Sequence, residues 1–151
     1  MRLTNMNIRY AQDSDLEFLL KGRQEVISVA EHKPHVGREQ RDREELKQAI
    51  DGKEIRVMEI AGQPVAFLEF KADFKVMYVE SGFLWIHFSY VREDYRRKGL
   101  GKLLYEDAAK IAADKGLKKI ALDVFAMNLG SAKFHQRLGF KPLYTIYEKM
   151  V

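Results

Sequence analysis

Hydrophobic positions recur along this chain at two periods, one near every second residue and one near every third or fourth. Residues 7–11 alternate and predict a short first strand. Ser14-Asp15-Leu16-Glu17 has the spacing of a capping box, in which the serine oxygen takes an exposed backbone N–H and the glutamate reaches back, so a helix is predicted from there to about Val29. Leu16, Leu19, Leu20 and Ile27 give it one apolar face, Pro34 and Gly37 end the pattern, and residues 38–50 predict a second, highly charged helix. Residues 55–60 and 65–70 flank Ala61-Gly62-Gln63-Pro64 and read as an antiparallel hairpin. Residues 83–91 predict a long strand rich in aromatics. Leu100, Leu103, Leu104, Ala108, Ile111 and Ala112 then mark a helix that stops at Gly116. Residues 119–125 predict a further strand, 131–138 a short helix and 140–150 a last strand. The order βααβββαβαβ is that of a mixed α/β (α+β) fold whose later strands alternate with helices.

Composition narrows the picture. At 151 residues, with 46% in the hydrophobic set and no linker or repeat, the chain reads as one domain over 1–151 that needs neither disulfide nor structural metal. The absence of cysteine removes thiolate nucleophiles, CxxC redox pairs and cysteine zinc sites, and favours a reducing, cytoplasmic setting. The first ten residues lack the apolar core of a secretory signal, and no stretch approaches the ~20 apolar residues of a membrane span.

The net charge of +4 is uneven: residues 92–141 hold twelve basic and six acidic side chains. An excess on that side suits an anionic partner, either a nucleic acid or a phosphate-bearing small molecule.

Candidate chemistry gathers in the same region. Residues 91–101, VREDYRRKGLG, lie between a predicted strand and an amphipathic helix. Gly99 and Gly101 lack a Cβ and let backbone approach a ligand closely. The N–H groups that follow sit at the positive end of a helix, where phosphate binds well, and Arg96, Arg97, Lys98 and Lys102 add charge. The spacing fits neither GxxxxGK[ST] nor GxGxxG, which argues against a P-loop ATPase or a Rossmann dehydrogenase.

Arg96-x-x-Gly99-x-Gly101 resembles the acetyl-CoA loop of the GNAT superfamily of acyl-CoA N-acyltransferases. Residues 128–140, NLGSAKFHQRLGF, are similar to that family's Asn-bearing turn, short helix and terminal Gly-Phe, and Ile8-Arg9-x-Ala11-x-x-x-Asp15 resembles its opening. The resemblance implies a splayed mixed sheet with CoA between the strands that end near Val91 and Phe125. It implies that Ser89, Tyr90 and Val91 present backbone groups to the pantetheine arm and the acetyl carbonyl, with N–H groups near Tyr90 and Val91 polarising the latter. It further implies that Arg96, Arg97, Lys98, Gly99, Leu100, Gly101 and Lys102 form the pyrophosphate loop and that Asn128 meets the arm through its amide. Where family members often carry a tyrosine acid for the departing thiolate, this chain has His135, whose imidazolium can donate a proton or which can simply line the cofactor channel.

A proton acceptor for the amine is expected beside that channel. Asp123 comes first, as the lone charge in the apolar run Ala121-Leu122-Asp123-Val124-Phe125 where some family members carry a catalytic glutamate; an ion pair is its structural alternative. His87, two residues before Ser89 and so expected on the same strand face, is second, and Glu80 third. His32 and His35 lack the further ligands of a metal site, so no metal is expected. The aromatic residues Phe74, Tyr78, Phe83 and Trp85 offer a cleft lining, core packing or a homodimer contact.

The resulting expectation is an acetyl-CoA-dependent N-acetyltransferase in which an amine acceptor attacks the thioester directly, with residues 27–50 and the last strands shaping the acceptor cleft. Two other classes share part of the pattern. A CoA-binding sensor or degenerate acyltransferase would bind without turnover, and a nucleic-acid-binding module, which has no recognised motif here, would weaken steeply with salt.

Overall fold

The computed structural model describes residues 4–31, 37–74 and 82–151, so His32, His35, Tyr78 and Glu80 lie outside the described residues. The elements are β1 (Met6–Tyr10), α1 (Leu16–Glu31), α2 (Glu39–Asp51), β2 (Ile55–Ile60), β3 (Gln63–Phe74), β4 (Phe83–Val91), α3 (Leu100–Asp114), β5 (Lys119–Leu122) and α4 (Leu129–Arg137). The strands form one sheet in the order β1-β2-β3-β4-β5. The first three pairings are antiparallel and β4 with β5 is parallel, as a connection through a helix requires.

Each face of the sheet is closed by helices. Leu68, Phe70, Leu84 and Ile86 pack against Leu100, Leu104, Ala108 and Ile111 of α3. On the opposite face Ile55, Val57 and Phe67 pack against Leu19 and Leu20 of α1 and Leu46 and Ala49 of α2. The period-2 and period-3.6 stripes thus meet, and apolar burial at roughly 25 cal/mol per Å² fixes the layers. The hairpin turn is tighter than expected: Ala61 and Gly62 alone turn the chain, both at positive φ (50° and 77°), and Gln63 and Pro64 already belong to β3.

Two expectations are corrected. The cap ahead of α1 is not built on Ser14. Gln12 N–H donates to the Asp15 carboxylate (2.8 Å), Asp15 N–H returns to Gln12 O (2.9 Å), and residues Asp13–Asp15 form a 3-10 turn. Asp15 is buried because Arg9 donates to both of its oxygens, at 2.8 and 3.0 Å, so the acid rather than the serine is the residue drawn inward. The last strand expected over residues 140–150 is not in the sheet, and the observed order ends at α4. Strand pattern supplies propensity only, and a strand also needs an edge to pair with. Residues 141–151 run exposed beyond Phe140, and among the described residues β5 pairs with β4 alone.

Candidate active site

β4 and β5 pair only where Phe83–Ile86 faces Lys119–Leu122. Beyond Ile86, β4 continues to Val91 while β5 has ended, and between them opens a cleft of about 1230 Å³. A one-residue bulge widens this point. Phe70 faces Ile86 and Glu69 faces Phe88, leaving His87 as the extra residue of β4. The bulge corrects the strand-face expectation for His87. Ile86 and Ser89, three residues apart, both fall on the α3 side, where Tyr105 Oη contacts Ser89 Oγ at 3.4 Å, and His87 and Phe88 occupy the gap between them.

Ladder alternation identifies the backbone groups that look into the cleft. Arg92 donates its N–H to Val65 O (2.8 Å), so Tyr90, two residues earlier, also directs its N–H toward β3. Ser89 and Val91 direct theirs away from β3. The Val91 carbonyl, on that outer side, accepts Arg96 Nε at 2.8 Å. The Tyr90 N–H is thus turned away from the cleft, while the ring is buried against Phe18 and Phe67 and its hydroxyl donates to Glu25 (2.9 Å). Burial pushes that hydroxyl up to about 12.

The glycine turn follows. Gly99 is the N-cap of α3 at φ 81°, with no side chain capping it and no acid in the first helical turn, where Lys102 stands instead. Arg97 is also left-handed (φ 62°). Arg97, Gly99, Leu100, Gly101 and Lys102 line the cleft. Arg96 lines it too, but its guanidinium also ties Val91 to Glu25 (2.6 Å to Glu25), so it braces the loop as well as charging it. Lys98 turns back onto the loop, donating to Asp94 O (3.0 Å) over the Tyr95 ring, and is not among the cleft-lining residues. Gly101 has a packing reason as well: a Cβ there would lie 2.9 Å from the Phe134 ring of α4.

α4 forms the far wall. Asn128 is its N-cap, its Oδ1 accepting Ser131 N–H (3.2 Å), and it borders the cleft. Two turns on, His135 is 7% exposed. Its Nδ1 lies 2.8 Å from the Ser131 carbonyl, which can only accept, so Nδ1 carries the hydrogen and Nε2 accepts the Tyr105 hydroxyl at 2.7 Å. Burial holds His135 below the ordinary histidine value despite that carbonyl, and pushes the Tyr105 hydroxyl up to about 12. Both groups are thus neutral near pH 7. Tyr105 was not singled out in the sequence; its signal is a hydroxyl on the buried face of α3, which needs a partner.

Asp123 lines the cleft but lies one residue past the end of β5 and is exposed, not a buried strand carboxylate as expected. Among the described residues nothing beyond Leu122 continues the sheet to cover it. Its negative charge instead acts on His87, which is half-buried and held below the ordinary value chiefly by burial and then by Lys71 and Arg23, with Asp123 opposing. A further group escaped the sequence reading. Glu69, 6% exposed and 3.2 Å from the buried Arg23 guanidinium, lines the same cleft, and its burial outweighs that attraction and pushes its carboxyl up to about 7. No spacing announces a pair 46 residues apart.

A parallel strand pair that parts into a cleft, with an uncapped helix start at its foot, defines a mixed α/β fold with an open site between two strands. The chain matches the acetyltransferase (GNAT) family over residues 24–140 and belongs to it. It is 31% identical over 85 residues to an uncharacterized N-acetyltransferase of Methanocaldococcus jannaschii, covering 56% of this chain and 38% of that one. It is 32% identical over 101 residues to tyramine N-feruloyltransferase 4/11 of Nicotiana tabacum, covering 67% of this chain and 42% of that one. The chain thus spans about two fifths of the length of these relatives. The structure of the PaiA N-acetyltransferase of Thermoplasma acidophilum in complex with coenzyme A superposes with a TM-score of 0.77 at 22% identity, over 93% of this chain and 92% of that one, which is a likeness of fold. Among the described residues no helix is long and apolar enough to cross a membrane.

Proposed function

We propose that this chain is an N-acetyltransferase that passes an acetyl group from acetyl-CoA to a primary amine by direct attack in a ternary complex. The observation that carries the reading is the parting of β4 and β5 above the uncapped start of α3. The pyrophosphate fits the N–H groups after Gly99 with Arg97 and Lys102 beside them, and the N–H groups of Ser89 and Val91 suit the amide-rich arm and the acetyl oxygen. Acetyl-CoA, when bound, supplies the thioester. The protein supplies position and proton traffic. His87, kept neutral, takes the proton of the incoming ammonium, and the Asp123 charge strengthens it as a base. The Tyr105–His135 pair borders the place of the departing sulfur: the Tyr105 hydroxyl, held against neutral His135 Nε2 and kept protonated by burial, gives its proton to the thiolate and regains one from solvent. A cytoplasmic setting is part of the same reading.

The test is binding followed by turnover. Acetyl-CoA at a hundred times its dissociation constant should stabilise the fold by about 2.7 kcal/mol. Gly99→Glu should abolish that gain, because the position is left-handed and the carboxylate meets the pyrophosphate. Equal thermal shifts for both proteins would defeat the reading, and binding without thiol release over a broad amine panel would leave a sensor.

A further inference from the structure

The cleft has a second wall. Ser89, Tyr105 and His135 meet on the α3 side of the sheet, whereas Arg23, Asp42, Glu45 and Glu69 line the cleft from the α1 and α2 side. Glu69 stands two residues past Phe67 on β3 and so faces those helices. Arg23 and Glu69 are each 6% exposed. The guanidinium donates from Nη1 to Glu45 (2.9 Å), with Asp42 3.5 Å from the same nitrogen, donates from Nη2 to Glu69 Oε1 (3.2 Å), and lies over the Phe88 ring. It is held from several sides at once.

Yet the Arg23–Glu69 pair is only half made. Nε and Nη2 share one edge of a guanidinium, and a carboxylate that takes the whole edge bonds both. Here Nη2 reaches Oε1, while Nε and Oε2 are buried with no hydrogen-bond partner among the described residues. Such atoms are costly to leave bare. One is a donor and the other an acceptor, and a single hydroxyl satisfies both, accepting from Nε and donating to Oε2. It also serves when Glu69 holds a proton, because a hydroxyl oxygen has two lone pairs and accepts from both sides. An ammonium would suit Oε2 but would set a like charge against the Nε–H beside it.

The two atoms adjoin the base. Glu69 faces Phe88 across β3 and β4, and His87 is the bulge residue next to Phe88. Arg23, Lys71 and Glu54 all act on both Glu69 and His87, which sets the two side chains in one charged neighbourhood. Neighbouring strands stand about 4.8 Å apart, the reach of two or three carbons. Resting on the acetyltransferase reading, we propose that the acceptor is a short amino alcohol whose amine meets His87 and whose hydroxyl bridges Arg23 Nε and Glu69 Oε2. The acetyl group goes to the nitrogen, and the hydroxyl is recognised and left free.

The test begins with the unaltered chain. Thiol release from acetyl-CoA gives kcat/KM for ethanolamine against propylamine and for propanolamine against butylamine, pairs in which a methyl replaces the hydroxyl. Each amino alcohol should lead its partner by about 10²-fold or more, since the alkylamine leaves two buried polar atoms bare. Glu69→Leu should bring the members of each pair within a few-fold, and Arg23 keeps Asp42 and Glu45 in that variant. Should it fail to fold, Glu69→Asp, which withdraws the carboxylate by one carbon, should shrink the same ratio. Equal values in the parent overturn the proposal and leave the two atoms to water. Preference for diaminopropane over propanolamine overturns it in favour of a cation, and an undiminished ratio in Glu69→Leu or Glu69→Asp overturns it by moving hydroxyl recognition elsewhere. Thiol release with none of the amines instead defeats the acetyltransferase reading on which the proposal rests.

Discussion

Gly22→Ala places a methyl group in the interior of α1 where the structure has no room for it. The added Cβ would stand 2.5 Å from Cε1 of Phe67 and 2.8 Å from Cδ1 of Tyr90. Carbon atoms need about 3.5–4.0 Å, so helix or rings must give by about 1 Å. Neither ring has slack: Phe67 is fully buried, Tyr90 is 6% exposed, and the two lie with Phe18 in a three-ring cluster at centroid distances of 5.6–5.9 Å. Two effects oppose each other. Alanine gains about 1 kcal/mol over glycine in a helix interior, while overpacking a closed core costs about 1–3 kcal/mol. With two rigid rings under 3 Å the cost should exceed the gain, for a net loss of about 1–2 kcal/mol. For a domain of this size that is roughly 2–4 °C in Tm per kcal/mol. The strain also reaches the cleft, since Tyr90 holds Glu25 and Glu25 holds Arg96 of the glycine turn. Urea unfolding of both proteins measures the difference, and acetyl-CoA titration measures the second effect. A variant as stable as the parent, or more so, would refute the reasoning, because propensity would then have outweighed the clash.

Glu69, raised from 4.5 to about 7 by burial, stays protonated in the fold at pH values where the unfolded chain has lost that proton. Stability should therefore fall as pH rises from about 4.5 through 7 relative to Glu69→Gln, by up to about 3 kcal/mol, and parallel stability curves for the two proteins would sink the assignment. His87→Asn should lower the rate of acetyl transfer and flatten its rise with pH while leaving acetyl-CoA binding intact. Asp123→Asn should do less, moving the rising limb downward by loss of its charge, and a larger effect at Asp123 than at His87 would reverse the roles. Tyr105→Phe and His135→Phe should each cost about 10²-fold in turnover, and because burial keeps Tyr105 protonated and His135 neutral at pH 7, the parent's rate should not fall as pH rises through 6.5 to 7. Unchanged rates and pH profiles, with stability checked by unfolding, would give the thiolate's proton to water.

The sequence by itself determined the elements and the loop. Apolar stripes of period 2 and 3.6 are local facts, so β1 through α4 appear in order, and Arg96, Gly99 and Gly101 mark the glycine turn ahead of α3 within six residues of each other. The tertiary structure decided what depends on contact across distance. The bulge that puts His87 off the face of Ser89 exists only in the pairing of β3 with β4. The exposure of Asp123 follows from β5 ending at Leu122 with, among the described residues, no strand on its outer side. Tyr105 meets His135 across 30 residues and Arg23 meets Glu69 across 46, and it is burial, which no local window reports, that turns Tyr105, His135 and Glu69 from ordinary polar residues into groups with displaced proton affinities. The last segment shows the same division. Its strand propensity is written in Tyr144, Thr145, Ile146 and Tyr147, but whether a strand forms is decided by the edge that receives it.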